Sequence, residues 1–155
     1  MDTLIIYASI HHKNTKKIAQ AIHKKLGGRL VSVDQVDKGD IENADLIGFG
    51  SGIYMAKFHK SIPRLIKNID QAKNKKAFIF STAGSKNVIF NRGHGAIKKR
   101  LKEKGFDIVG EFECLGYDSF GPLKIFGGIN KGRPNEKDLE KAEEFAKKII
   151  NKEDE

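Results

Sequence analysis

The sequence predicts an α/β fold in which a five-stranded parallel sheet carries helices on both faces. Short, almost wholly apolar runs, the pattern of strands buried on both faces, recur along the chain. Segments with apolar residues three and four positions apart, the pattern of amphipathic helices, separate these runs. No internal repeat or low-complexity linker interrupts the alternation, so a single domain is expected over residues 1–151, followed by an acidic tail at 152–155.

The first part of the chain predicts three strands and two helices. Residues 3–8 form an apolar run and predict the first strand. Residues 15–26 place an apolar side chain at every fourth position and predict a helix, which two glycines end. The apolar segment 30–33 predicts the second strand, and 45–50 the third. A helix is expected over 58–68, where a proline lies near the first turn.

The remaining part predicts two more strands and two more helices. Residues 76–81 are apolar and predict the fourth strand. Ile97 and Leu101, four positions apart, indicate a helix that a glycine ends shortly afterwards. The fifth strand is expected within 106–115. The last helix is expected over 135–151, where an asparagine at the start is the candidate N-cap.

Composition excludes several classes of protein. Cys114 is the only cysteine, so a disulfide scaffold is excluded. The longest uncharged stretch, 46–56, is shorter than the roughly 18–20 apolar residues that a membrane-spanning helix needs. The first residues lack the basic and long apolar segments of a signal peptide, so a cytoplasmic protein is expected.

The chain has a formal net charge of +9, which by itself is compatible with several anionic partners. Its lysines alternate with acidic residues on predicted helices, as in 98–104 and 140–144. No arginine-rich block and no stripe of aromatic residues among basic ones accompanies them. The pattern is typical of solvated helix faces, and no nucleic-acid partner is expected.

Parallel α/β sheets bind ligands at the carboxyl ends of their strands. The loop after the first strand, residues 8–15, brings together hydroxyls, an amide, a lysine and the start of a helix. A phosphate dianion requires such donors and a helix N-terminus. The alternative is a tight turn in which Asn14 or Thr15 merely caps the helix, and the segment alone leaves both interpretations open.

Three segments resemble the flavodoxin family and fall in the family's order. Residues 5–9, with 14–15 and Ala19, are similar to its phosphate-binding signature. Residues 45–54 resemble its third strand and first flavin loop, and 80–85 its second flavin loop. The resemblance covers nearly the whole chain. It implies a doubly wound sheet of strand order 2-1-3-4-5 that binds FMN where the strand order reverses.

The resemblance also implies which residues contact FMN, in three groups. Around the phosphate it places Ser9, Ile10, His11, His12, Lys13, Asn14 and Thr15. Along the ribityl chain and the ring edge it places Ser51, Gly52 and Ile53, with Tyr54 stacked on the flavin. Near the pyrimidine end it places Thr82, Ala83, Gly84 and Ser85. No catalytic residue and no metal ligand is expected.

Three features depart from the family pattern. The first loop is one residue longer, with 11–13 in place of a shorter segment, and these residues either add cationic donors or bulge outward. Met55 stands where many carriers have a glycine that allows a peptide flip, and a Cβ there disfavours positive φ. Residues 85–88 include no aromatic side chain, so a more exposed flavin is expected.

Other candidate sites have simpler interpretations. The long segment 116–134 is rich in glycine and apolar residues and is expected to pack on the sheet or contact a partner, the alternative being that it reaches the flavin edge. Cys114 is interpreted as a small buried apolar residue. His59 and His94 have no visible partners for a catalytic triad, and Ser9 lacks the strand–elbow pattern of a nucleophile.

The favoured function is an FMN-binding electron carrier that shuttles electrons between redox partner proteins. Because typical members of the family are acidic and this chain is basic, its partners are expected to present acidic docking faces. The alternative is a flavodoxin-like FMN oxidoreductase of the quinone reductase or protoporphyrinogen dehydrogenase type. A phosphoacceptor signalling domain would need acidic residues where the chain has Tyr7, Ala8 and Ser9.

Overall fold

A computed structural model describes residues 1–10, 12–85, 89–119 and 121–154 of the chain. The strands are β1 (Thr3–Ala8), β2 (Arg29–Ser32), β3 (Leu46–Tyr54), β4 (Lys57–Phe58), β5 (Lys76–Ala83) and β6 (Asp107–Leu115). The helices are α1 (Asn14–Leu26), α2 (Lys38–Asn43), α3 (Ser61–Asn68), α4 (Ile89–Glu103) and α5 (Glu136–Glu153), with a 3-10 helix at Gly121–Phe126.

The sheet confirms the α/β class that the sequence predicts. Its parallel strands lie in the order β2-β1-β3-β5-β6. This is the order 2-1-3-4-5 for the five predicted strands, since β4 is an additional two-residue strand that pairs antiparallel with β3. The chain passes from β1 to β2 in one direction and extends from β3 in the other. A crevice is therefore expected at the carboxyl ends of β1 and β3.

Two apolar cores cover the two faces of the sheet. On one face, α3 and α4 bury Ile62, Ile66 and Leu101 against Phe49 and other strand residues. The opposite face is covered by α1 and α5, through the buried residues Ile18, Ile22, Ala142 and Ala146. Successive side chains of a strand point to opposite faces, so the almost wholly apolar β1 and β5 contribute to both cores.

Glycines in β3 make room for large rings from the neighbouring strand. A Cβ on Gly48 would overlap the ring of Phe78, and a Cβ on Gly50 would overlap the ring of Phe80. Both phenylalanines are fully buried. The alternating glycines of β3 are therefore explained by packing against β5, and they keep the sheet close-packed directly below the ends of the strands.

The structure also contains elements that the sequence did not predict. The polar stretch after β2 forms α2, which begins with reciprocal hydrogen bonds between Asp37 and Asp40. β3 continues to Tyr54, beyond the predicted end at residue 50, because its last residues pair with β4. Among the described residues, no helix is long and apolar enough to cross a membrane.

Candidate functional site

A cavity of about 870 Å³ opens at the carboxyl ends of the strands, where the strand order reverses. Its size is within the range of roughly 300–1,000 Å³ that is typical of small-molecule and cofactor sites. The predicted site residues that line it are Ile10, Asn14, Gly52, Ile53, Tyr54, Thr82, Ala83 and Gly84. All three predicted loops therefore reach the same cavity.

The other predicted residues with described positions surround this cavity without lining it. They are Ser9, His12, Lys13, Thr15, Ser51 and Ser85. His11 lies outside the described residues, as do residues 86–88 of the second loop. The expectation that the segment 85–88 leaves the flavin exposed therefore stays a prediction.

The residues before α1 enter the helix without a capping hydrogen bond from the N-cap side chain. His12 and Lys13 both adopt left-handed backbone conformations, with φ of 55° and 53°. Lys13 is the N-cap residue, and its side chain makes no capping hydrogen bond. The first backbone hydrogen bond of the helix runs from the N–H of Lys17 to the carbonyl oxygen of Lys13, at 3.1 Å. Asn14 and Thr15 lie inside the helix and do not cap it. In the first turn the N–H of Lys16 donates to Oγ of Ser9, and among the described residues no bond is shown for the N–H groups of Asn14 and Thr15, which point outward as in anion sites at helix N-termini.

Asn14 presents a buried hydrogen-bond acceptor at the cavity wall. Its Nδ2 donates to the carbonyl oxygen of Tyr117 at 2.8 Å. Its Oδ1 is buried and has no hydrogen-bond partner among the described residues. A buried acceptor without a partner is costly. The position therefore fits a ligand that brings its own hydroxyl or N–H donors, as the ribityl chain of FMN does.

Two hydroxyl groups connect α1 to the end of β5. The Oγ1 atoms of Thr15 and Thr82 lie 3.0 Å apart, and both residues are buried. Ser9 accepts a longer hydrogen bond, 3.3 Å, from the N–H of Lys16. These contacts hold the first loop against the sheet, so Thr15 and Ser9 position the loop.

Ser51 positions the hairpin formed by β3 and β4. Its Oγ donates to the carbonyl of Gly52 at 2.7 Å and accepts from the N–H of His59 at 2.9 Å. Ser51 is completely buried and does not line the cavity. His59 packs edge-on against the ring of Tyr54, and burial, followed by the charge of Lys60, lowers its pKa.

Met55 and Ala56 form the two-residue turn of this hairpin. Their φ angles are 49° and 65°, so both residues are left-handed. Although the Cβ of Met55 disfavours this conformation, Met55 adopts it, because the pairing of Tyr54 with Lys57 imposes a turn with two positive φ angles. The left-handed conformation costs an L-residue roughly 1–2 kcal/mol.

The ring of Tyr54 folds back over the backbone of Gly52. A Cβ on Gly52 would lie 2.6 Å from the Tyr54 hydroxyl oxygen, so the absence of a side chain permits this approach. Burial raises the pKa of Tyr54, while a hydrogen bond from the backbone of Ile10 acts in the opposite direction. The phenol of Tyr54 therefore extends from the end of β3 toward Ile10, in the loop after β1. Its stacking on a flavin stays a prediction.

Asp118 is a cavity residue that the sequence patterns did not indicate. A Cβ on Gly84 would lie 2.6 Å from Oδ2 of Asp118, so the carboxylate packs on the backbone of the second loop. The backbone of Asp118 exchanges hydrogen bonds with Ile129, at 3.0 and 2.7 Å. The negative charge of Asp118 also contributes to the raised pKa of Tyr54. Its place just after β6 was the only signal in the sequence.

The segment 116–134 packs on the first loop and also reaches the cavity. The ring of His12 lies 4.0 Å from that of Tyr117, and its Nε2 lies 2.7 Å from Oγ of Ser119. Asn130 donates to the carbonyl of Gly84 at 2.7 Å. His12 thus contacts two residues of the cavity lining, and both interpretations of the longer loop stay predictions.

His94 has hydrogen-bond partners that the sequence did not reveal. Its Nε2 lies 2.6 Å from Oγ of Ser81, and its Nδ1 lies 3.0 Å from Oε2 of Glu111. Ser81 is completely buried. Cys114 of β6 is also buried, as the sequence predicted. Because no substrate can reach the Ser81 hydroxyl, this arrangement supports the sheet and is not a nucleophilic site.

The pKa of Glu111 reflects this network. Burial acts to raise it, but hydrogen bonds from Lys98 and His94 lower it below its ordinary value on balance. Among the residues that the structure describes, no three histidine, cysteine or acidic side chains form a group that could hold a metal ion.

Comparisons with known proteins agree with this fold. A family model described as a flavodoxin domain matches residues 4–116. An uncharacterized protein of Methanocaldococcus jannaschii is 53% identical over 150 residues, which cover 97% of this chain and 99% of that protein. The structure of a flavodoxin from the domain Archaea is similar with a TM-score of 0.72 and 18% identity, covering 100% of both chains. Oxidised flavodoxin 2 from Bacillus cereus is similar with a TM-score of 0.71 and 23% identity, covering 98% of this chain and 99% of that one.

Proposed function

The chain belongs to the flavodoxin domain family, and on that premise we propose that it binds FMN in the cavity and carries electrons between redox partner proteins. When bound, FMN supplies the redox chemistry, and the protein supplies binding, orientation and electrostatics. The proposal assigns the FMN phosphate to the first loop and the flavin to the hairpin and the second loop.

The open start of α1 is the observation that carries the proposal. Two left-handed residues precede the helix, the side chain of its N-cap residue makes no capping hydrogen bond, and the buried Oδ1 of Asn14 has no donor among the described residues. A helix N-terminus of this kind favours a phosphate group, while Asn14 accepts from hydroxyl groups. A ligand that carries a phosphate on a hydroxylated chain satisfies both requirements, and FMN is such a ligand.

The proposal gives each predicted group one task. Ser9 to Thr15 hold the phosphate, chiefly through backbone N–H groups. Gly52, Ile53 and Tyr54 lie along the ribityl chain and the ring edge, with Ser51 bracing the hairpin from below. Thr82 to Ser85 bring backbone groups to the pyrimidine end, where Asp118 adds a carboxylate.

Binding of FMN by the purified apoprotein tests the cofactor assignment. We expect quenching of flavin fluorescence to show tight binding of FMN and binding of riboflavin weaker by a factor of about 100 or more, because riboflavin lacks the phosphate. Asn14→Ala is expected to weaken FMN binding by about tenfold, while the exposed α5 variant Lys137→Ala leaves it unchanged. Equal affinity for riboflavin and FMN would show that the first loop is not a phosphate site.

The carrier role is tested separately, on the FMN-loaded protein. A carrier transfers electrons to other redox proteins and shows little turnover of small substrates. The alternative, an FMN oxidoreductase of the quinone reductase or protoporphyrinogen dehydrogenase type, predicts rapid steady-state turnover of a quinone with a nicotinamide donor, or of protoporphyrinogen with an electron acceptor. Such turnover would contradict the carrier role and support the oxidoreductase, while the assignment of FMN as the cofactor would not be affected.

A further inference from the structure

We propose that the surface around the cavity mouth docks an acidic redox protein through lysines and exposed apolar side chains, an inference that rests on the proposed function. We call this surface the mouth face, and it consists of Met55, Lys57, Lys60, Lys124, Ile125 and Phe126. Met55 and the three lysines line the cavity, and Ile125 and Phe126 directly follow Lys124 in the 3-10 helix.

The apolar part of the mouth face is unusually exposed. Met55 is 89% exposed, Ile125 83% and Phe126 82%. The other large apolar residues that are exposed in the described part of the chain are Met1, Ile10 and Ile129. Ile10 lines the same cavity, and Ile129 pairs with the cavity residue Asp118. Apart from Met1, the exposed large apolar residues therefore belong to the cavity lining or to the segment that follows β6, as at protein interaction sites.

The lysines of the mouth face carry charge that nearby carboxylates do not neutralise. Within the described ranges, Lys57, Lys60 and Lys124 form no ion pair. By contrast, Lys24 and Lys25 both pair with Glu143. Among the described residues, the single carboxylate in the cavity lining belongs to Asp118, which packs against Gly84.

These features together favour a protein partner with surface carboxylates. Three unpaired lysines together with exposed apolar side chains supply the two kinds of contact that a typical protein interface combines. Complementary charges steer the encounter of two proteins and fix their orientation. A nucleic-acid partner fits less well, because the mouth face contains a single aromatic side chain, Phe126, and no arginine. The proposed partner therefore places its redox group next to the flavin edge.

Electron transfer with two proteins of opposite charge tests the proposal on the FMN-loaded protein. The acidic probe is reduced plant-type [2Fe–2S] ferredoxin, which gives one electron to the bound FMN and is itself oxidised. The basic probe is oxidised mitochondrial cytochrome c, which takes one electron from the reduced protein. When ionic strength is raised from low to physiological, we expect the second-order rate constant to fall by about tenfold or more for ferredoxin. The rate constant for cytochrome c is not expected to fall.

Two triple variants of equal net charge test whether the position of the lysines on the mouth face, and not net charge alone, determines the reaction with ferredoxin. The triple variant Lys57→Glu, Lys60→Glu and Lys124→Glu is expected to react with ferredoxin at least about tenfold more slowly at low salt. The control is the triple variant Lys99→Glu, Lys137→Glu and Lys148→Glu, which changes net charge equally at exposed positions outside the cavity lining. Its rate is expected to change by no more than about threefold. Equal losses in the two variants would overturn the proposal.

Two further measurements distinguish the remaining outcomes. Phe126→Ser is expected to slow electron transfer from ferredoxin several-fold while leaving the rate with ferricyanide, a small anion, unchanged, because only a docked protein can cover the exposed ring of Phe126. A mouth face that instead binds single-stranded oligonucleotide with the same dependence on the three lysines would also contradict the proposal. Failure to take up FMN would contradict the proposed function itself. Uptake of FMN with ferredoxin rates independent of the mouth face would reject only the docking inference.

Discussion

The hydroxyl oxygen of Ser81 lies 2.6 Å from Nε2 of His94, in the interior between β5 and α4. Nδ1 of the same ring lies 3.0 Å from Glu111 of β6, so one imidazole connects three elements. His94 is 4% exposed, and its ring also packs edge-on against Phe58 of the hairpin. The histidine thus joins the sheet to the helix that follows the second loop.

Removal of the His94 imidazole is expected to destabilise the fold. His94→Ala leaves the buried Ser81 hydroxyl without a partner and creates a cavity next to Phe58, so the free energy of unfolding should fall by about 2–4 kcal/mol. Urea denaturation at neutral pH measures the change. Lys99→Ala, at an exposed position of the same helix, is expected to change stability by less than about 0.5 kcal/mol. Equal effects in the two variants would show that the buried hydrogen bonds contribute little.

Asp138 is expected to make stability depend on pH in the acid range. Burial acts to raise its pKa, but hydrogen bonds from Arg133 and from the N–H of Asn135 lower the pKa below the ordinary value of 3.8. A carboxylate with a lowered pKa in the folded state stabilises the fold above its unfolded pKa, and this stabilisation is lost as pH falls through the folded pKa.

Asp138→Asn tests this pH dependence. At pH 7 we expect the free energy of unfolding to fall by about 1–3 kcal/mol, and the difference from the original chain should shrink steadily below about pH 4. Thermal unfolding followed by circular dichroism between about pH 2.5 and 7 measures the difference. The control is Glu136→Gln in the same helical turn, which is exposed. A difference that is constant with pH would contradict the role of the ionised carboxylate.

The turn at Met55 and Ala56 is expected to respond to residues that tolerate positive φ. The double substitution Met55→Asn, Ala56→Gly should stabilise the apoprotein by about 1 kcal/mol, because asparagine followed by glycine suits a turn with two left-handed residues. Ala96→Gly in α4 makes the same alanine-to-glycine change in a helix and should destabilise by about 1 kcal/mol. Chemical denaturation of both variants measures whether the free energy of unfolding rises in the first and falls in the second.

The carboxylate of Asp118 is expected to affect both binding and potential of the cofactor. Asp118→Asn removes a negative charge from the cavity wall, so FMN, whose phosphate is anionic, should bind several-fold more tightly. The midpoint potential of bound FMN should rise, because one fewer negative charge near the flavin then opposes the addition of electrons. Fluorescence titration and spectroelectrochemistry measure these changes. Asp107→Asn, at the opposite end of β6, serves as the control and should leave both quantities unchanged.

Local sequence patterns predicted most of the fold. Apolar runs and helical periodicity identified the five parallel strands and four of the helices, because burial on one or two faces imposes a period that a short segment displays. The same patterns did not indicate the short α2 or the two-residue β4. Their positions depend on a capping box among polar residues and on pairing at the end of β3.

The sequence by itself determined the layered α/β architecture, the family and the loops that form the cavity, since each depends on residues close together in the chain. Only the tertiary structure decided which side chains meet there. Asp118 reaches Gly84, and Ser81, His94 and Glu111 meet, across separations that local periodicity does not record. The direction of the Tyr54 ring likewise follows from the space left by Gly52 and from the loop at Ile10. Such contacts arise from packing between elements, and packing is a property of the assembled sheet and helices.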